Sequence, residues 1–230
     1  MIRVFHDLAA ASEALAARVV SEAASAIEAR GQFRIALSGG DTPVGLYRRL
    51  GSAPWHERLD WTRTVILFAD ERAVPRGSPE RNDRLVTEAL FGPAATGPER
   101  VRSMRAEADD LDAAALEYER EVETPIDLLL LGVGGDGHIA SLFPGGAALD
   151  DGGRRVAVVR NSPKPPAARL TLTPRAIDEA RAACVLVAGE AKAAAVARAL
   201  SGRVTPAECP AALVAARDWY IDRAAAAGRH

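Results

Sequence analysis

The sequence predicts an α/β fold: a mostly parallel, doubly wound sheet with helices on both faces. Three observations carry this expectation. Strand-like and helix-like segments alternate along the chain. Several of the strand-like segments contain unbroken apolar runs, as within 64–69, 127–131 and 184–188, which suits strands buried on both faces. Polar or glycine-rich clusters follow directly after such runs, and open α/β sheets bind ligands beyond the carboxyl ends of their strands.

The elements are expected in this order. Residues 7–30 form a long helix, capped by Asp7, with apolar residues recurring at Leu8, Ala11, Leu15, Val19 and Ile27 and a stop at Gly31. The first sheet strand is 33–37, ending at Ser38-Gly39-Gly40. Thr42 as N-cap and Pro43 at the first helical position open a helix toward Leu50. Strand 64–69 runs straight into polar Asp70-Glu71-Arg72. A Pro-, Gly- and Arg-rich loop at 74–82 carries Arg76 and Arg81, two candidates to reach a substrate. Helices at 83–91 and 110–122 precede strand 127–131, which stops at a glycine run. Strand 154–159, a rigid three-proline loop at 161–167 and strand 169–173 come next. Pro174 starts a helix to 181, followed by strand 184–188, helix 190–200, a last helix near 207–215 and a short strand at 219–221.

Composition sets bounds. The chain has 230 residues, is 48% hydrophobic and contains no linker-like break or repeat, so one domain over 1–230 is expected. With 29 basic against 31 acidic residues, the net charge of -2 leaves no footprint for nucleic acid or an anionic membrane. No apolar run approaches the ~20 residues of a membrane span. The N-terminus lacks the apolar region of a signal peptide. Two cysteines, Cys184 and Cys209, suit reduced thiols in the cytoplasm. A small-molecule substrate and a monomer or small homo-oligomer fit these facts.

One bias is informative. Lysine occurs only at Lys164 and Lys192, and every other basic residue counted is arginine. A chain that uses Arg for generic positive charge keeps lysine where a compact ammonium is needed. Chance survival on the surface is the plain alternative.

Four polar clusters compete for a chemical reading. Ser38-Gly39-Gly40 with Thr42 offers backbone N–H groups and hydroxyls to a phosphate; an ordinary capped turn is the alternative. Gly132-Val133-Gly134-Gly135-Asp136-Gly137 matches a dinucleotide fingerprint. That reading fails because Pro144 ends any following helix early and no acid stands at the end of the next strand. At the same strand end His138 lies beside Asp136 in a glycine-rich setting, which suits a general base titrating near neutrality. His6, His56 and His230 lack such a setting. No spacing suggests a metal site, and Ser141 is not in a nucleophile elbow. Asp70 and Arg72 at a buried strand's end face a substrate, with Arg72 available to stabilise an oxyanion. Lys164 and Arg169 flank the proline loop as phosphate candidates. Lys192 in a helix's first turn opposes the dipole unless an anion sits beside it.

Ser38-Gly39-Gly40, the run Phe68-Ala69-Asp70-Glu71-Arg72, residues 132–145, Asn161 to Pro166 with Arg169-Leu170-Thr171, and Gly189-Glu190-Ala191-Lys192 together resemble the ordered motifs of the 6-phosphogluconolactonase family. The resemblance spans about Ile35 to Lys192. It implies hydrolysis of 6-phospho-D-glucono-1,5-lactone to 6-phospho-D-gluconate in the oxidative pentose phosphate pathway, without metal or organic cofactor. It also implies the three-layer α/β/α fold shared with glucosamine-6-phosphate deaminase. Both lysines fall on its motifs. In the implied site His138 activates water, Arg72 stabilises the oxyanion, and Asp136 or Asp70 orients the imidazole or binds hydroxyls. Ser38, Gly39, Gly40, Thr42, Lys164, Arg169 and Lys192 hold the phosphate. The deaminase is the nearest rival, but it carries a glutamate five residues after its histidine, where this chain has Phe143. Sugar-phosphate sensor domains of repressors share the fold but carry a helix-turn-helix ahead of it.

Overall fold

A computed structural model describes residues 1–92, 100–150 and 152–228 of the chain; Asp151 and His230 lie outside the described residues. Its main sheet has six strands in the order β1-β9-β8-β5-β2-β3, all parallel. These are β1 (Ile2–Phe5), β2 (Phe33–Leu37), β3 (Thr64–Phe68), β5 (Leu128–Leu131), β8 (Ala182–Val187) and β9 (Asp218–Asp222).

Strand alternation divides the core between the two faces of this sheet. Phe33, Ile35 and Leu37 of β2 and Leu128 and Leu130 of β5 pack with Ala11, Leu15 and Val19 of α1 (Leu8–Arg30) and Leu46 of α2 (Val44–Leu50). Ala36, Leu129 and Leu131 point to the other layer. There they meet Ala115 and Tyr118 of α4 (Leu111–Glu121), Ile177 of α5 (Pro174–Glu179) and Val196 of α6 (Ala193–Leu200). The result is the three-layer α/β/α arrangement. Asp7 caps α1 through the Ala10 N–H at 2.8 Å, as its sequence position requires.

From β2 the chain moves outward to β3 and then returns to β5 on the other side of β2. The carboxyl ends of β2 and β5 therefore flank a topological switch point, the crevice where such sheets bind ligands. Ser38 bridges it, its Oγ donating to Leu130 O at 2.9 Å.

Several elements differ from expectation. β1 is the first strand, not 33–37. It is a four-residue edge strand containing Arg3, and only pairing with the distant β9 defines it. Asp70–Arg72 is not a polar tail but β4, in a separate antiparallel sheet of order β4-β7-β6 with β7 (Arg169–Leu172) and β6 (Val156–Val159). Helix α2 starts at Val44, and Thr42 makes no capping bond because residues 41–43 form a turn closed by Val44 N to Asp41 O at 3.3 Å. The helix expected at 190–200 begins as a 3-10 turn, Glu190–Lys192, before α6. The one expected at 207–215 is only a 3-10 turn at Pro210–Val214. The helix expected at 83–91 is α3 (Asn82–Phe91), and the described chain closes with a short α7 (Arg223–Ala226) that was not foreseen.

Candidate active site

A cleft of about 300 Å³ opens at the switch point, lined among others by Ser38, Gly39, Gly40, Thr42, Asp70, Arg72, Asn82, His138, Arg169 and Lys192. Each wall comes from a different element, and each has a local reason to be there.

The register of the small sheet builds the first wall. Asp70 pairs with Thr171 and Arg72 with Arg169. Alternation turns Asp70 and Arg72 to one side and Glu71 to the other. Glu71, fully buried, accepts the backbone N–H groups of Arg72 at 2.7 Å and of Asn82 and Asp83 at 2.8 Å. One carboxylate therefore holds the start of α3 against β4. It thereby places Asn82, whose Nδ2 donates to Asp70 O at 2.8 Å and Oδ1 at 3.1 Å. Gly39 completes the contact: a Cβ there would lie 1.7 Å from Asn82 Oδ1.

Asp70 is 5% exposed and also accepts from Ser141 Oγ at 2.6 Å, so Ser141 is a buried tie, not a nucleophile. Arg72 Nη1 donates to Glu80 O at 2.5 Å, while its Nε has no protein partner. Ala140, next to Ser141, adopts a φ of 47°, the single non-glycine residue described in the left-handed region. Such strain persists only where surrounding contacts enforce it, and it clusters at functional sites.

The glycine run after β5 builds the second wall. His138 Nδ1 lies 2.5 Å from Asp136 Oδ1, which also accepts the His138 backbone N–H at 3.3 Å. Nδ1 must carry the proton of that bond, which leaves Nε2 as the imidazole's lone-pair nitrogen. A Cβ on Gly134 would lie 2.0 Å from His138 Nδ1 and 2.5 Å from Asp136 Oδ1, so only glycine admits the pair. Burial pushes the His138 pKa below its ordinary value; the Asp136 hydrogen bond and charge only partly offset this. Burial alone would raise Asp136, but its contacts with His138 and Lys164 outweigh it and lower the pKa. The Phe143 ring centroid sits 4.8 Å from that of the imidazole, and the Arg169 guanidinium stands 5.6 Å from the same Phe143 centroid.

Arg169, a phosphate candidate, and the loop arginines Arg76 and Arg81, candidates to reach a substrate, all have protein partners. Arg169 is 5% exposed, and its donors are engaged by Pro166 O, Lys164 O, Pro165 O and Ser141 Oγ at 3.0–3.3 Å, with Asp70 at 3.9 Å. It fastens the proline loop to the cleft wall. Arg81 is fully buried against Asp83, Glu107 and Met104 O, and Arg76 lies 3.7 Å from Glu107, so neither reaches the cleft. Lys164 Nζ lies beside the imidazole, 3.6 Å from Asp136 Oδ1. Lys192 lines the cleft, its pKa lowered by burial and then by Lys164, with Asp136 opposing. Lys192 thus shares the cleft lining with Ser38, Gly39, Gly40 and Thr42, while the Lys164 ammonium stands at the His138–Asp136 pair. Asn82 is the contact that the sequence did not reveal. Among the described residues no group of three or more His, Cys, Asp or Glu side chains is placed to hold a metal ion.

Comparison with known proteins points the same way. The family model described as glucosamine-6-phosphate isomerases/6-phosphogluconolactonase matches residues 6–221. A 6-phosphogluconolactonase of Streptomyces coelicolor is 39% identical, over 97% of this chain and 92% of its own. The solved structure of 6-phosphogluconolactonase from Trypanosoma brucei superposes with a TM-score of 0.83 at 27% identity, covering 99% of this chain and 97% of that one. A monomeric glucosamine-6-phosphate deaminase superposes with a TM-score of 0.83 at 25% identity, covering 99% of both chains.

Proposed function

The chain belongs to the family of glucosamine-6-phosphate isomerases and 6-phosphogluconolactonases, and from that membership and the cleft's geometry we propose that it hydrolyses 6-phospho-D-glucono-1,5-lactone to 6-phospho-D-gluconate, a step of the oxidative pentose phosphate pathway. The observation that carries this reading is the His138–Asp136 pair beside Phe143. The pair supplies a neutral base at 2.5 Å from its orienting carboxylate. The deaminase branch needs an acid five residues after the histidine; here the position holds an apolar ring packed on that histidine.

A δ-lactone carbonyl is electrophilic enough for water to attack without a covalent enzyme intermediate. Nε2 of His138 takes the proton of the attacking water. Asp136 fixes the tautomer and stabilises the imidazolium that forms. Arg72, which lines the cleft, stabilises the oxyanion, a role that supplies roughly 3 kcal/mol. The imidazolium then returns its proton to the ring oxygen as the C1–O bond breaks. Asp70, held by Asn82 and Ser141, binds sugar hydroxyls. Lys164, Lys192 and the Ser38–Gly39–Gly40–Thr42 backbone and hydroxyls hold the phosphate, which positions C1. We assign the enzyme to the cytoplasm, a setting in which the buried thiols of Cys184 and Cys209 stay reduced. One domain over 1–230 suffices for this chemistry.

Two assays run side by side test the proposal. Freshly generated lactone should be hydrolysed well above its spontaneous rate, with no ammonia released from glucosamine 6-phosphate. Ammonia release without lactonase activity would assign the site to the deaminase branch. Activity on neither substrate would return it to a sugar-phosphate sensor.

A further inference from the structure

His138 and Lys164 converge on a single carboxylate oxygen. Asp136 Oδ1 lies 2.5 Å from His138 Nδ1 and 3.6 Å from Lys164 Nζ. The two nitrogens are 3.3 Å apart. With the Nδ1 proton directed at Asp136, that approach sets donor against donor, and the shared carboxylate is what holds it. The ammonium therefore weakens the imidazole's partner and repels an imidazolium.

The Lys164 side chain is 46% exposed on a flexible four-carbon stem, whereas its backbone is tied by Arg169 to the rest of the site. The ammonium can move while the loop stays. Lys192 is near enough to Lys164 to lower its own proton affinity, so an anion between them relieves a repulsion built into the free site.

The geometry points to Lys164 as a phosphate-responsive restraint on the base: in the free enzyme its ammonium shares Asp136 with His138, and a seated phosphate draws it away and leaves Asp136 to the imidazole alone. His138 then becomes a stronger base only when a phosphorylated substrate occupies the cleft. This rests on the lactonase reading and adds a coupling between its two ends. The other charged groups facing His138 are Asp70 of β4, Arg72 beside it, Arg169 of β7 behind Phe143, and Lys192 across the cleft. None of these touches the Asp136–His138 bond as Lys164 does.

The test is the titration of the His138 ring by NMR, its signal identified by its loss in His138→Asn. Wild type, Lys164→Met and Lys192→Met are each titrated without and with saturating inorganic phosphate. The expected result has three parts. Phosphate raises the wild-type midpoint; Lys164→Met has a raised midpoint without phosphate, and phosphate adds little to it; Lys192→Met keeps the phosphate response at higher phosphate. A wild-type midpoint unmoved by phosphate overturns the proposal. So does an equal rise in Lys164→Met, which would be the anion's own charge acting. The titration needs no turnover, so a chain inactive on lactone would defeat the proposed function while leaving this coupling to be decided on its own result.

Discussion

At His138, burial and Asp136 act in opposite directions on the same proton, and burial wins. The sign of the pH dependence follows. The base is competent when neutral, so kcat/KM persists as pH falls through the ordinary histidine value of about 6.5 and is lost only below it. A profile whose acid limb lies at or above that value contradicts the assignment. Lys192 gives a second residue-level expectation. Removing one ammonium from a charge-assisted phosphate contact, as in Lys192→Ala, should lower kcat/KM for the phosphorylated lactone roughly tenfold or more. Hydrolysis of the unphosphorylated glucono-lactone should change little; equal losses on both substrates would remove Lys192 from the phosphate seat. The sequence made these residues legible because a glycine run, a neighbouring carboxylate and a strong bias against lysine all mark them locally. Asn82 carries no such mark. Its role arises from contacts with Asp70 and with Gly39, residues brought to it only by folding.

Elements explain how these side chains stay in place. The β4–β7 register puts Asp70 and Arg72 on one face and sends Glu71 to hold the first turn of α3. Three consecutive charged residues do not read as a strand, so β4 was invisible until its partner was known, whereas the apolar runs of β3 and β5 were plain. Thr42 shows a related limit, since turn chemistry alone did not fix where α2 begins. Gly134 offers a direct check of the element's geometry. In Gly134→Ala the new methyl would meet His138 Nδ1 at 2.0 Å and displace the His138–Asp136 pair. The expected variant keeps wild-type circular dichroism and loses most of its turnover. A folded Gly134→Ala enzyme of undiminished kcat would mean that the pair is not held as described.

Over the whole molecule, the two faces of the parallel sheet carry stability and its carboxyl edge carries chemistry. Trp219, fully buried in β9, donates its indole N–H to Val214 O at 2.9 Å, away from the cleft-lining residues. Trp219→Ala should cost about 3–5 kcal/mol, or roughly 10 °C in Tm. Well below that Tm, kcat should remain near wild type, and a selective loss of kcat would show that stability and chemistry are not separated in this way. Alternation of strands and helices foretold the layers and a site beyond the strands' carboxyl ends, while the switch point came only with the strand order. Edge strand β1 and the small antiparallel sheet were not foretold, because their pairings join segments far apart in sequence. The central claim is that the switch point presents His138 as the base for lactone hydrolysis. Its most direct test is the kcat of folded His138→Ala on freshly generated 6-phospho-D-glucono-1,5-lactone, with spontaneous hydrolysis subtracted. A fall of about 100-fold or more is the predicted result, and a rate near wild type would contradict it.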